Sequence, residues 1–289
     1  MTQSPQKLGE VLTAGADYLA TRKIEQPRLA CELLAGRLLK CKHLELPLKY
    51  GVVLNEKLLE AMRRGIKRVA DGEPVQYIIG QTDFMGHTFK TDKRALIPRP
   101  ETEILVEQIL KCDGLWGADN QPSVVDIGTG SGCIVISIAL KKPDAKYLAL
   151  DVSGEALELA RENAAQLGVT DKIVFANVEI SDAIEPESLD AIVSNPPYIP
   201  TSEYERLPCH IREHEPQTAL DGGPNGLSVI EVIVQDAAIA LKSGGFLFLE
   251  IGEEQTKAVR SMFGECDFNN IQVTKDLAGK DRIVSGIRT

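Results

Sequence analysis

The chain has 289 residues, of which 43% are hydrophobic and 26% charged, a composition typical of globular proteins with a sizeable core. Its formal net charge of −10 at pH 7 argues against a protein that holds nucleic acid through a broad basic surface. The sequence has no signal-peptide core and no apolar run near the ~20 residues that span a bilayer, so we expect a cytoplasmic protein. The six cysteines form no C-x-x-C pair, which favours free thiols and no metal centre.

Apolar residues recur at helical spacing over the first quarter of the chain. Three such stripes are Leu8, Val11, Leu12 and Leu19; Leu29, Leu33, Leu34 and Leu38, after the helix-opening Pro27; and Leu58, Leu59, Met62, Ile66 and Val69. We therefore expect a helical domain over residues 1–75.

The pattern changes over residues 76–100. The stretch "VQYIIGQTDFMGHTFKTD" mixes β-forming residues with glycine, which is typical of a β-hairpin or an extended linker. It is followed by "PETEILVEQIL", where a proline and acidic residues in the first turn predict a helix.

Strands and amphipathic helices alternate over the rest of residues 101–289. The predicted strands are "SVVDIG", "KYLALD", "KIVFANV", "LDAIVS", "GGFLFLEI", "NIQVTKD" and "RIVSGIR". The predicted helices are "CIVISIALKK", "GEALELARENAAQLG", "LSVIEVIVQDAAIAL" and "EQTKAVRSMF". This order indicates an α/β fold with a doubly wound, mainly parallel sheet. No long helix separates the last two strands, which permits an antiparallel final strand.

The first strand of this domain runs into the glycine-rich turn "DIGTGSG", Asp126 to Gly132. Glycines at alternate positions let the backbone turn tightly and approach a ligand, next to the N-terminus of a helix. Asp151 ends the next strand, where a carboxylate can accept both hydroxyls of a ribose or, alternatively, remain a solvated or helix-capping side chain. Together they fit an adenosine ligand without a pyrophosphate, so S-adenosyl-L-methionine fits better than NAD.

The fourth strand delivers "SNPPYIP" to the carboxyl edge of the sheet, where such folds bind ligands. This stretch can be simply a proline-rich turn that stops a strand. Alternatively, Pro197 holds Pro196 extended, so that the Pro196 carbonyl and the Asn195 side-chain oxygen face a pocket as two acceptors. With Tyr198 stacked on a planar group, this socket suits an NH₂ on an sp² carbon, either an amide or an aminopurine.

Several motifs together resemble the release-factor glutamine methyltransferases, the HemK/PrmC family: "LIPRPETE", "DIGTGSG", "VSNPPYIP", "HEPQTALDGGPNGL", "LEIGEEQ" and "DLAGKDRIV". The resemblance covers nearly the whole chain. It implies a class I, Rossmann-like methyltransferase domain with a seven-stranded sheet. It also implies methyl transfer from S-adenosyl-L-methionine to the side-chain amide nitrogen (N5) of the glutamine in the GGQ loop of class 1 peptide chain release factors.

The resemblance also implies roles for individual residues. The cofactor would be held by Gly128, Thr129, Gly130, Ser131, Gly132 and Asp151, with Asn195 at its methyl end and residues 98–103 lining its methionine end. Glu179 and Ile180 stand where the family usually has an Asp and a bulky residue against the adenine. The glutamine would be held by Asn195, Pro196, Pro197 and Tyr198, of which Asn195, Pro196 and Tyr198 would be catalytic. The helical domain would hold the release factor, and we expect a monomer with no nucleic acid, membrane or metal partner.

Other functions are also compatible with parts of the sequence. NPPY occurs in adenine-N6 DNA methyltransferases, although these usually carry a basic recognition domain. Glutamine methylation of a ribosomal protein is a further alternative. A non-enzymatic module that only binds S-adenosyl-L-methionine would leave the NPPY socket unexplained.

Overall fold

A computed structural model describes residues 6–117, 121–178 and 185–289, except the side chains of residues 209 and 210. The chain forms two compact units. The first comprises Met1–Gln81 with Cys209–His214, and the second comprises Thr82–Pro208 with Glu215–Thr289. In the described part of the chain, no helix is long and apolar enough to cross a membrane.

The first unit is helical, as its apolar stripes predict. Its helices are α1 (Leu8–Thr21), α2 (Pro27–Leu39), α3 (Glu56–Ala70) and α4 (Val75–Ile79), with a 3₁₀ helix at His43–Lys49. Most residues of the stripes pack into one core that includes Leu12, Leu34 and Met62. Leu29 and Leu33 of the second stripe are not part of it, and Leu29 is exposed. The start of α3 is fixed by Asn55, whose side chain accepts the Leu58 N–H at 3.0 Å.

The expectation of a hairpin or extended chain is wrong for Val75–Ile79, which is α4. These residues favour strands by propensity, but Pro74 precedes the helix and Gly80 ends it in the left-handed region at φ +73°. Packing also supports the helix, because Val75, Ile78 and Ile79 lie against the core of the first unit. The hairpin itself follows as β1 (Gln81–Phe84) and β2 (His87–Lys90).

The second unit is built on a seven-stranded sheet, counted over its described residues, in the order β5-β4-β3-β6-β7-β9-β8. These strands are β3 (Ser123–Ile127), β4 (Lys146–Leu150), β5 (Ile173–Ala176), β6 (Leu189–Ser194), β7 (Leu241–Glu250), β8 (Phe268–Lys275) and β9 (Asp281–Arg288). The strands β3 to β7 pair in parallel, and β9 is antiparallel to β7 and β8. The prediction of an α/β fold with a mainly parallel sheet is confirmed.

Helices and alternating strand residues build a core on each face of the sheet. The helices are α5 (Pro100–Leu110), α6 (Cys133–Lys141), α7 (Gly154–Leu167), α8 (Ser228–Ala240) and α9 (Thr256–Glu265). In β6, Val193 belongs to the core that contains residues of α5 and α6, whereas Ile192 belongs to the core that contains residues of α8 and α9. Successive residues of a strand point to opposite faces, so both faces of the sheet are covered.

The register of the parallel strands gathers their carboxyl ends at one edge. Ile127 at the end of β3 pairs with Leu150 of β4 and with Ser194 of β6, and Ser194 pairs with Leu249 of β7. The residues that follow these ends are the glycine-rich turn, Asp151, Asn195 and, within β7, Glu250 itself. The sheet thus brings the sequence motifs together at its carboxyl edge.

Candidate active site

A cavity of about 450 Å³ lies at this edge, within the second unit. Its volume is in the range of small-molecule sites, about 300–1,000 Å³. Five segments line it, in addition to residues elsewhere: the chain before and at the start of α5, the glycine-rich turn with the start of α6, the end of β4 with the start of α7, residues 216–219, and one side of α8. The lining includes Arg94, Leu96, Pro98, Arg99, Thr102, Gly128, Thr129, Gly130, Ser131, Asp151, Ser153, Val178, Asn195, Pro197, Ser228, Val232 and Asp236.

The glycine-rich turn has the conformation that its composition predicts. Gly128 and Gly130 have φ of +68° and +56°, and a Cβ on Gly128 would meet no atom within 4 Å. Both glycines line the cavity, so a ligand can lie against bare backbone there. Gly132 differs, because its φ is +80° and a Cβ would lie 2.7 Å from Cδ1 of Ile136 and 3.1 Å from Cβ of Ala160. Its Cβ position faces the helices, and Gly132 does not line the cavity.

Asp151 joins the turn to the next helix. Its Oδ2 accepts the Gly130 N–H and its Oδ1 accepts the Ser153 N–H, both at 2.8 Å. Burial raises the pKa of this carboxyl, and the two backbone N–H groups lower it in part. Each carboxylate oxygen can accept more than one hydrogen bond, so Asp151 retains capacity for the hydroxyl groups of a ligand.

Asp126 is a buried acid beneath the turn, with no exposed surface. Its Oδ2 accepts the Thr129 hydroxyl at 2.7 Å and the Val135 N–H at 3.3 Å. Its Oδ1 and the Ser131 hydroxyl are buried and have no partner among the described residues. Burial raises the pKa of Asp126 to about 7.

The first residue of the NPPY motif, Asn195, belongs to a hydrogen-bond chain with Thr102 of α5 and Glu250 of β7. Nδ2 of Asn195 lies 3.0 Å from the hydroxyl oxygen of Thr102, and that hydroxyl donates to Oε2 of Glu250 at 2.7 Å. Glu250 is 1% exposed and Thr102 is 2% exposed. The Tyr198 hydroxyl lies 3.5 Å from the other Glu250 oxygen, and burial together with that carboxylate raises the pKa of Tyr198 to about 12.

The backbone of the motif packs closely against residues 221–227 ("DGGPNGL") and accepts a hydrogen bond from residues 252–255 ("GEEQ"). A Cβ on Gly222 would lie 2.6 Å from the Pro197 carbonyl, and one on Gly226 would lie 2.2 Å from the Tyr198 carbonyl. Nε2 of Gln255 donates to the carbonyls of Tyr198 and Gly226 at 2.9 and 3.0 Å. No donor in the described ranges contacts Oδ1 of Asn195 or the carbonyl of Pro196, so these two oxygens remain as acceptors.

The predicted site residues have different positions relative to the cavity. Its lining includes Gly128, Thr129, Gly130, Ser131, Asp151, Asn195 and Pro197, but not Gly132, Pro196 or Tyr198. Pro196 is buried, and Tyr198 is partly buried against the core that contains α8 residues. Glu179 and Ile180 lie outside the described residues.

Glu250 and the α8 residues of the cavity lining were not predicted from the sequence. One signal for Glu250 was available: an acidic residue ends the apolar run "FLFLE", in a strand that neighbours the one leading into Asn195. The α8 residues Ser228, Val232 and Asp236 carry no motif that distinguishes them from an ordinary amphipathic helix. Among the described residues, no group of three or more His, Cys, Asp or Glu side chains could hold a metal ion.

Two parts of the chain match models of known protein families. The model described as "Methyltransferase small domain" matches residues 100–207, and that described as "PrmC N-terminal domain" matches residues 10–80.

Curated relatives match over nearly their full length. The release factor glutamine methyltransferase of Chlorobaculum tepidum is 40% identical, over 96% of this chain and 95% of the relative. Proteins of the same name are 36% identical in Caulobacter vibrioides, over 96% and 94%, and 36% identical in Geobacter sulfurreducens, over 99% of each chain.

Solved structures with low identity share the fold of about 70% of the chain. The hMettl16 catalytic domain, solved in complex with MAT2A 3′UTR hairpin 6, has a TM-score of 0.55 at 15% identity, over 71% of this chain and 77% of that one. A methyltransferase from Pyrococcus furiosus has a TM-score of 0.50 at 18% identity, over 69% and 88%. At these identities the likeness concerns the fold alone.

Proposed function

The chain belongs to the release factor glutamine methyltransferase family, and from this we propose that it methylates the side-chain amide nitrogen (N5) of a glutamine in a release factor. The donor is S-adenosyl-L-methionine. The observation that carries the proposal is Asn195, which lines the cavity and whose Oδ1 accepts from no donor in the described ranges. The carbonyl of the neighbouring Pro196 also has no donor there, although Pro196 itself is buried.

The cavity fits the donor by the chemistry of its lining. Gly128 and Gly130 offer bare backbone in the left-handed region, and the Asp151 carboxylate suits the two hydroxyls of a ribose. The Gly130 N–H already occupies part of Asp151, which fixes the direction of the carboxylate before a ligand arrives. We assign Thr129, Ser131 and Gly132 to shaping this turn, and Glu179 and Ile180 to the adenosine end of the site.

When bound, the donor supplies an electrophilic methyl group on a sulfonium. The nitrogen of a glutamine amide is a poor nucleophile because its lone pair is delocalised. Asn195 Oδ1 and the Pro196 carbonyl would accept hydrogen bonds from its two N–H groups, orient the nitrogen and stabilise the positive charge that grows on it. As the carbon–nitrogen bond forms, the methyl–sulfur bond breaks to leave neutral S-adenosylhomocysteine, and the methylated amide releases one N–H proton to water. Pro197 keeps Pro196 extended, and Tyr198 packs beside the amide group.

We propose that the release factor is the protein substrate and that three parts of the chain have different roles in methylating it. The N-terminal helical domain, predicted over residues 1–75 and extended by α4 to Ile79, holds the release factor. The rest of residues 76–100 links it to residues 101–289, which carry out the methyl transfer. The enzyme acts as a monomer and takes no nucleic acid. The net charge of −10 argues against a nucleic acid substrate, because an enzyme that acts on nucleic acid needs a basic surface to neutralise phosphates.

The test is incubation of the purified protein with the labelled donor and three substrates in separate reactions. These are a class 1 release factor, the same factor with its GGQ glutamine replaced by alanine, and duplex DNA. We expect one methyl group on the wild-type factor, located to that glutamine by peptide mass spectrometry. Equal labelling of the replaced factor, or efficient labelling of DNA, would contradict the proposal. A ribosomal fraction added as a fourth substrate tests the ribosomal protein alternative.

A further inference from the structure

We propose that Glu250 and Thr102 are positioning residues that fix which end of the Asn195 side-chain amide faces the methyl acceptor. The inference rests on the proposed function, since it explains how Asn195 comes to present its oxygen there. Neither residue is expected to touch the reacting nitrogen or methyl group. They act through Asn195 by setting the direction of a short hydrogen-bond chain.

The chain runs between segments that are far apart in sequence. Glu250 ends β7, Thr102 lies in the first turn of α5, and Asn195 follows β6. The links are 2.7 Å from the Thr102 hydroxyl to Glu250 and 3.0 Å from Asn195 Nδ2 to that hydroxyl. Glu250 and Thr102 are each at most 2% exposed, so bulk water does not compete for these bonds.

The donor-to-acceptor direction of this hydrogen-bond chain follows from the number of protons that each group can donate. An ionised carboxylate only accepts hydrogen bonds, so the single hydroxyl proton of Thr102 must go to Glu250. The Thr102 oxygen can then only accept from Asn195, which must turn its NH₂ group toward Thr102. The Asn195 oxygen is thereby left for the substrate. If the amide were reversed, its NH₂ group would face the substrate NH₂ group, donor against donor.

The polarity of this chain depends on the charge of Glu250. Burial raises the pKa of Glu250 to about 7, and Glu101 also raises it, whereas the Thr102 hydroxyl, Arg282 and Tyr198 lower it. The thiol of Cys133 is also within electrostatic reach. A protonated Glu250 can itself donate to Thr102, whose proton is then free to point at Asn195 and favour the reversed amide. The correct amide orientation should therefore be lost as the pH falls through about 7.

The test compares Glu250→Gln, Thr102→Val and Thr102→Ser with the wild type in methylation of the release factor. A glutamine at 250 can donate to Thr102, so we expect kcat to fall about 10²-fold, the scale for losing one preorganised contact. Thr102→Val should lose at least about tenfold, and Thr102→Ser, which keeps the hydroxyl, much less. Affinity for S-adenosylhomocysteine should fall less than kcat in all three, whereas Thr102→Val, which leaves Oε2 of the buried Glu250 carboxylate without its hydroxyl donor, should also lower the melting temperature. Glu107→Gln, an exposed position on the same helix, is the matched control and should retain full activity.

A pH profile separates this role from a merely structural one. Wild-type kcat should rise with pH through about 7, and Glu250→Gln should remove that rise. Wild-type kcat in Glu250→Gln, or an unchanged pH profile, would overturn the assignment and leave the proposed function intact. If Glu250→Gln does not fold, equal losses in Thr102→Val and Thr102→Ser would overturn it. A wild-type protein that transfers no methyl group overturns the proposed function itself, and the assignment with it.

Discussion

The backbone N–H of Gly130 donates a hydrogen bond of 2.8 Å to Oδ2 of Asp151, across the ends of two neighbouring strands. This bond ties the glycine-rich turn to the carboxylate that we assign to the ribose. The same carboxylate accepts the Ser153 N–H at the start of α7. One side chain thus holds both walls of the nucleoside end of the cavity in place.

We therefore expect Asp151→Ala to weaken cofactor binding. Loss of a charge-assisted hydrogen-bond partner should cost about 1.5–3 kcal/mol of binding free energy, measured by calorimetry with S-adenosylhomocysteine. Asp190→Ala, which removes an acid elsewhere in the same sheet, is the control and should bind normally. Unchanged affinity in Asp151→Ala would remove Asp151 from the site.

Gly132→Ala should destabilise the fold more than Gly168→Ala, in which the new side chain is strained by the backbone conformation but meets no neighbouring atom. Both Gly132 and Gly168 have positive φ, at +80° and +74°, which costs a non-glycine residue about 1–2 kcal/mol. Only at Gly132 would the new Cβ also contact Ile136 and Ala160, at 2.7 and 3.1 Å, adding about 1–3 kcal/mol. Urea unfolding of both variants checks this, and equal losses would show that the close approach of the helices has no energetic effect.

Gly222→Ala should impair turnover without weakening cofactor binding. The added Cβ would lie 2.6 Å from the Pro197 carbonyl and would displace the NPPY backbone. A displacement of about 1 Å at a reacting group can cost 10²-fold in rate, so we expect kcat to fall by at least about tenfold. Gly264→Ala is the matched control, since a Cβ there meets nothing within 4 Å. Full activity in Gly222→Ala would mean that the loop does not position the motif.

Asp126 should make the free protein less stable as the pH rises. Its folded-state pKa of about 7 lies above the ordinary value of 3.8, so between these values the folded state keeps a proton that the unfolded state releases. The free energy of unfolding should therefore fall by up to about 1.4 kcal/mol per pH unit over that window from this group, and level off above it. Asp126→Asn should reduce the slope. An identical slope in wild type and variant would show that Asp126 titrates normally.

Local patterns allowed accurate prediction of several elements. The run "LDAIVS" is β6 at Leu189–Ser194, and "PETEILVEQIL" is α5 at Pro100–Leu110. Their ends are defined by prolines, since Pro196 and Pro197 stop the strand and Pro100 opens the helix. The antiparallel final strand was also anticipated from the short connection before it. The helix at Val75–Ile79 was missed, since its strand-forming residues are outweighed by a glycine cap and by packing.

The contacts that complete the site were beyond local patterns. Thr102 and Glu250 are 148 positions apart, and only the strand order brings them to the same place. Asn195 was identified from its own motif, but the group that orients it was not. The contacts of Gly222 and Gln255 with the NPPY backbone likewise depend on the conformation of loops, which local sequence patterns do not predict.

Single-turnover kinetics of Asn195→Ala test whether Asn195 holds the substrate amide during methyl transfer. With release factor and donor both saturating, we expect the methyl-transfer rate to fall about 10²–10³-fold, because one preorganised acceptor for the developing charge is lost. Affinity for S-adenosylhomocysteine should fall much less, since the glycine-rich turn and Asp151 remain. A variant that transfers methyl at the wild-type rate and shows only a raised KM would contradict the account, because Asn195 would then be a docking contact.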